Sequence, residues 1–297
     1  MAIPLERTNP FAPSGNLRRR KRVDLVMRGL ATLAAALAVA VLVAVLVAIA
    51  SRGIGVISID FFTKAPPTFF GTGGILPQIV GSLLIVGLAT CFALPIGVLT
   101  AIFQTEFASP RVAYPIRLSL DLLNGLPSIV IAVYVYGLLV LGSSQKGYAA
   151  SVALAIIMIP LIARATQEVL LLVPQSQRDA SYALGMSRWR TTIGIVLPAC
   201  LSGIITGAVL AVARAAGETA PVLLLSSFYN PNQPVTANLF GQAIPNLPME
   251  IYTDSQSALP TAQARGWGTA LVLVTMILIV SLAARYALAR QRRKLYR

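Results

Sequence analysis

Arg214 and Glu218 stand four residues apart inside an apolar run, Leu201 to Leu225, that holds no other charge. Placing a cation in mid-span costs about 2.5–3.5 kcal/mol, and such a residue faces a bundle interior or a wet cavity. A guanidinium can donate two parallel hydrogen bonds to an oxyanion, which the point charge of a lysine does less well. At helical spacing Glu218 shares a face with Arg214 and can pair with it. Two readings stay open: a salt bridge that makes the helix insertable, and an anion path on which Glu218 holds Arg214 until the anion competes for it.

A second apolar run, about Ile116 to Leu141, carries Asp121, Asn124, Gly125 and Pro127. Asp121 can pair with Arg117 one turn earlier, near the inner interface. Asn124, Gly125 and Pro127 either open the helix backbone to a cavity or permit close helix packing.

Other chemistry finds little support. The chain has no histidine and two cysteines, Cys91 and Cys200, each inside an apolar run. A disulfide framework, a Cys/His zinc site and a catalytic triad are therefore excluded. Gly71-Thr72-Gly73-Gly74 is glycine-rich but lacks the Gly-Lys-Ser/Thr end of a nucleotide-binding loop. No catalytic residue, no metal ligand and no cofactor bound by this chain is expected, so any ATP used must be hydrolysed elsewhere.

The elements that must position these residues are membrane spans. Of 297 residues 56% are hydrophobic and 11% charged, against about a quarter charged in soluble domains, and the mean hydropathy is +0.76. Apolar runs of about 20 residues suit an all-α polytopic protein with six transmembrane helices. The expected spans are Leu30 to Ala50, Gln78 to Phe103, Ile116 to Leu141, Ala149 to Leu172, Leu201 to Leu225 and Thr269 to Leu288. The first resembles a signal peptide ending in Ala48-Ile49-Ala50, but it exceeds the usual h-region of about 7–15 residues and is expected to be retained. Pro95 is expected to kink its span rather than break it, and Pro160, Met158, Tyr134 and Tyr136 are read as packing residues.

The net charge of +14 does not point to nucleic acid, because the cations sit in short clusters between spans. With the N-terminus inside, nineteen of the 24 Lys and Arg fall on inner segments and four on outer loops, Arg214 being left within the membrane. This bias places both termini in the cytoplasm. The expected organisation is a basic cytoplasmic segment (1–27), a first transmembrane helix (28–51), a helical membrane domain (74–290) with an inner-side loop (173–198), and a basic cytoplasmic tail (291–297).

Between the fourth and fifth spans, on the inner side, lies Asp179-Ala180-Ser181, followed by Gly185 and Ile195-Val196-Leu197-Pro198. Ala180, Ala183 and Gly185 offer a close-packing surface, and Gly185 permits a turn between two short helices. The stretch resembles the EAA loop of permease subunits of bacterial ABC importers, with Asp179 and Ser181 as small departures from Glu and Ala. Further runs are similar to the PstA-type permeases of phosphate importers: Gly73 to Pro77 with Ile79 to Leu83, Leu123 to Val130, and Ala213 to Pro221. The resemblance covers about Gly73 to Pro221 and is most specific in the last two runs.

The resemblance implies the type I ABC importer transmembrane fold in a bacterial inner membrane. Asp179, Ala180, Ser181, Gly185, Ile195, Leu197 and Pro198 would couple to the ATPase, and Arg214, Glu218, Asn124 and Ser128 would line the substrate path. It also implies a PstC-like second permease, two PstB-like ATPase subunits carrying ATP-Mg, and a PstS-like phosphate-binding protein. A sulfate or molybdate permease shares the coupling loop, and an ion-coupled secondary transporter using Arg214 and Glu218 as a relay is the remaining alternative class.

Overall fold

The computed structural model describes residues 17–67, 73–227 and 239–295. Expectations that fall on residues 1–16, 68–72, 228–238 and 296–297 lie outside the described residues; they concern most of the basic N-terminal segment, Gly71 and Thr72, part of the long external loop and the end of the tail. The described chain is helical throughout. It divides into two compact units, Met1–Ser51 and Arg52–Arg297.

The first unit is the body of α1 (Leu17–Gly53), which opens with exposed basic residues and then becomes apolar on every side. A helix without a polar face belongs in lipid. The second unit contains α2 (Ile59–Thr63), α3 (Leu76–Ile102), α4 (Pro110–Gly125), α5 (Ser128–Leu139), α6 (Gly147–Leu171), α7 (Gln175–Ala183), α8 (Arg188–Thr191), α9 (Leu197–Gly217), α10 (Ala220–Leu225), α11 (Leu247–Ser255) and α12 (Pro260–Leu295). A 3-10 turn, Ile54–Val56 before α2, and two π-helical turns, Phe103–Phe107 after α3 and Thr192–Val196 before α9, complete its described elements.

Among the described residues five helices are long and apolar enough to cross a membrane, and α4 and α5, which meet at 100°, together form a bent pair with the composition of a broken span or a re-entrant loop. The expected continuous third span is thus corrected. Leu126 and Pro127 are extended, with ψ of 135° and 136°. Proline both lacks the N–H and pushes its predecessor out of helical geometry, so the helix stops before it. The fifth span is corrected likewise. It starts at Arg188, runs through the π turn, and ends at Gly217, with Glu218 extended at ψ 119° before α10. Pro221 is the reason, since its ring would strike the carbonyl of Gly217 four residues back. The sixth span begins at Pro260 rather than Thr269. Pro95 and Pro160 lie within continuous α3 and α6.

The core forms where α6 lies between α3 and α9. Ala89 and Ala93 of α3 and Ala149, Ala150 and Ala153 of α6 are fully covered. A methyl group added to Gly97 would come within 2.9 Å of the Ile162 side chain. With no hydrophobic drive between helices in lipid, small residues that let backbones approach supply the packing. The half-helices α5 and α10 pack on each other and on α6, so the segments that follow the two breaks form one block.

Candidate functional site

The coupling stretch folds as a helical hairpin. Pro174 starts α7 by fixing the backbone at its N-terminal boundary. After Ala183 the chain reverses at Gly185, whose φ of +79° is the left-handed region that a Cβ disfavours. Asp179, Ala180 and Gly185 are exposed, and the Asp179 carboxylate accepts from Gln175 Nε2 at 3.1 Å. Ser181 is buried instead: its Oγ lies 2.7 Å from Thr191 Oγ1, joining α7 to α8. Ile195 ends in the π turn half-buried, and Leu197 and Pro198 open α9. Tyr182, Leu184 and Trp189 are exposed beside these residues, Leu184 at 83%.

Beside the hairpin a cavity of about 490 Å³ is lined by Leu172, Pro174, Arg178, Tyr182, Arg188 and Glu106, among others. Arg178 anchors its wall. Its guanidinium bonds both oxygens of Glu106, at 2.7 and 3.3 Å, and donates to the carbonyls of Val173 at 2.6 Å and Leu170 at 3.0 Å. The two charged side chains are 10% and 6% exposed. The hydrogen-bonded Glu106 carboxylate raises the Arg178 pKa against the opposing effect of burial, so the guanidinium stays charged. Sequence reasoning missed this pair, whose members are 72 residues apart.

The other candidate residues sit at the helix breaks. Asn124 lies in the last turn of α4, exposed, and Ser128 opens α5 half-buried. Arg214 lies in the last turn of α9; its Nε is 3.5 Å from Glu218 Oε1, with the side chains 53% and 17% exposed. The expected pairing is present, but Glu218 is the residue beyond the helix rather than the next turn of it. Among the described residues no hydrogen bond joins Asn124 or Ser128 to Arg214 or Glu218; the helices that follow the two breaks, α5 and α10, pack on each other. Asp121 pairs with Arg164 of α6 and not with Arg117.

A third ionic cluster, also missed, lies at the opposite end of α3 from the coupling hairpin. Arg265 of α12 bonds Asp254 at 2.5 and 2.9 Å and reaches Glu250 at 3.3 Å, and Gln78 of α3 donates to Glu250 at 2.9 Å. Burial is the largest cause raising the pKa of both carboxyls, followed at Glu250 by the charge of Asp254. The cluster fastens α11 to α12 and α3, helped by Leu247 N–H donating to Ser82 Oγ at 2.8 Å.

Among the described residues, a set of apolar helices with one bent pair and a helical hairpin between two spans defines a class. Residues 93–294 match the family of binding-protein-dependent transport system inner membrane components. The fold is that of solved ABC transporters. A bacterial alginate ABC transporter aligns with a TM-score of 0.63 at 15% identity over 94% of this chain and 98% of that one. A methionine ABC transporter, captured in inward-facing conformations, aligns at 0.56 and 17% over 73% and 94%. The protein is therefore the transmembrane subunit of a type I ABC importer.

Curated relatives narrow the class. The phosphate transport system permease protein PstA 1 of Mycobacterium tuberculosis (strain ATCC 25618 / H37Rv) is 37% identical over 226 residues, 74% of this chain and 72% of that protein. PstA of Haemophilus influenzae is 36% identical over 90% of this chain and 94% of its own length, and PstA of Xylella fastidiosa (strain 9a5c) 35% over 93% and 96%. The chain belongs to the PstA family of phosphate transport system permeases. It is a multi-pass membrane transport component rather than an enzyme, working with a partner permease, ATPase subunits and a substrate-binding protein.

Proposed function

We propose that this chain, with a PstC-like second permease, forms the path by which inorganic phosphate enters the cell, driven by two PstB-like ATPases and supplied by a PstS-like phosphate-binding protein. The observation that carries the reading is the identity of about a third to phosphate permeases along nine-tenths of the chain. ATP-Mg stays on the ATPases, and the hairpin of α7 and α8 receives their movement. The charge bias puts that hairpin and both termini in the cytoplasm.

Phosphate is taken by Arg214. The Arg214–Glu218 contact of 3.5 Å is a loose one, and Arg214 is half exposed, so an arriving anion can displace the carboxylate without first dismantling a buried network. Asn124 and Ser128, at the other break, add neutral donors, and the free N–H groups opening α5 favour negative charge. The test is uptake in proteoliposomes holding the whole complex. Arg214→Lys is expected to lower phosphate uptake about tenfold, the loss of one charge-assisted hydrogen bond, with normal insertion. Unimpaired uptake removes Arg214 from the path, and sulfate or molybdate outcompeting phosphate in the unaltered complex removes the substrate assignment.

A further inference from the structure

Arg178 is the one cation of the hairpin that turns away from the exposed surface, at 8% exposure, and its partner belongs to a different part of the chain. Three elements meet in its guanidinium: α7, which carries it, the end of α6 through the carbonyl of Leu170 and that of Val173 just beyond, and Glu106 in the π turn between α3 and α4. The bond to Glu106 is bidentate, the arrangement that fixes direction as well as distance. Beside it the ring of Phe107, from the same turn, lies 6.0 Å from that of Trp189 of α8.

Stability alone does not call for such a pair, because apolar side chains of equal volume often hold a buried site as well. Its position argues for transmission. From the hairpin, one route is covalent, through α8 and the π turn at Thr192–Val196 into α9, which ends at Arg214 and Gly217. The other is made only by side chains, from α7 across Arg178 and Glu106 into α4, which ends at Asn124 and Gly125. Each route crosses a π turn, a rare form concentrated at functional sites. A π turn stores one extra residue, and releasing it rotates the adjoining helix by about 100° and slides it by about 1.5 Å.

We infer that Arg178 and Glu106 form a pin that passes movement of the coupling hairpin into α4, so that both broken helices are driven together. Glu106 and Arg178 are positioning residues, acting on Asn124 and Ser128 through α4. The inference rests on reading 173–198 as the surface that meets the ATPase.

The experiment uses the complete complex in proteoliposomes, with phosphate imported per ATP hydrolysed as the readout. Glu106→Gln, at unaltered complex yield, is expected to hydrolyse ATP yet import about tenfold less phosphate for it, a coupling loss of ordinary allosteric size. Glu106→Asp, which restores the charge, is expected to recover most of the ratio. An unchanged ratio in Glu106→Gln overturns the pin, and so does a defect confined to complex yield. If Glu106→Gln does not assemble, Arg178→Lys, which keeps the charge and loses the fork, carries the same test. Cross-linking Leu184→Cys to the ATPase separates the two ideas. No cross-link removes the hairpin reading itself, whereas a cross-link with an unchanged ratio removes the pin alone.

Discussion

Of the Arg–Glu pairs among the described residues, two are of opposite build. Arg178 and Glu106 are buried, meet at 2.7 Å through two bonds, and have further carbonyl acceptors around them. Arg214 and Glu218 touch at 3.5 Å, with the arginine half exposed beside a helix end. A buried, saturated pair holds elements in fixed relation; an exposed, single-contact pair can be parted at small cost. The first suits a joint and the second a binding site, and the sequence distance between partners runs the same way, 72 residues against one helical turn.

The sharpest way to break this contrast is to delete the arginines one at a time. Arg178→Ala leaves Glu106 buried without its counter-charge and is expected to destabilise the purified complex by about 3–5 kcal/mol. Arg214→Ala is expected to stay within about 1 kcal/mol of the unaltered protein while uptake collapses. Thermal unfolding of both variants in detergent checks this, and equal shifts would end the distinction.

Gly185→Ala asks whether the tight end depends on its turn. Nothing lies within 4 Å of the added methyl, so the penalty is purely that of the left-handed backbone, about 1–2 kcal/mol. The expected result is weaker ATPase retention on co-purification with Arg178 and Glu106 still paired. Ser181→Ala loses the bond to Thr191 and is expected to cost about 1 kcal/mol in thermal unfolding.

The smallest effect is expected at the third cluster, which is buried yet carries two carboxylates for one guanidinium. Its carboxyls titrate above their ordinary values in the folded state, so the folded chain binds protons more readily than the unfolded one. Stability from this source is greatest below about pH 4 and is lost as pH rises through the elevated values. Glu250→Gln is expected to flatten that part of the pH dependence in a melting series compared with the unaltered complex. Parallel curves would show that Glu250 does not titrate there.

What the sequence disclosed was local. Asp179 to Pro198 is contiguous, and its glycine, proline and small residues describe the hairpin before any partner is known. Arg214 and Glu218 announce themselves as charges in an apolar run. The breaks were half legible: Asn124-Gly125-Leu126-Pro127 marked an unusual helix, but hydropathy runs across a bend without change, so one continuous span was expected. Pro221 carried the signal for the break at Gly217, four residues ahead of it. Arg178 with Glu106, and Arg265 with Glu250 and Asp254, depend on distant segments meeting, which no periodicity reports. Asp121 shows the same limit, since the near neighbour Arg117 was expected and the distant Arg164 holds it.

The block made by α5 and α10 has one more consequence. The two helices are twelve and six residues long, too short to persist alone in an aqueous setting, and each stands because the other and α6 support it. Each follows a helix break, at Leu126–Pro127 and at Glu218, and neither belongs to the hairpin of α7 and α8. On the proposed reading, a graft meant to change the cargo has to carry Arg214 with the block, residues 124–139 and 214–225.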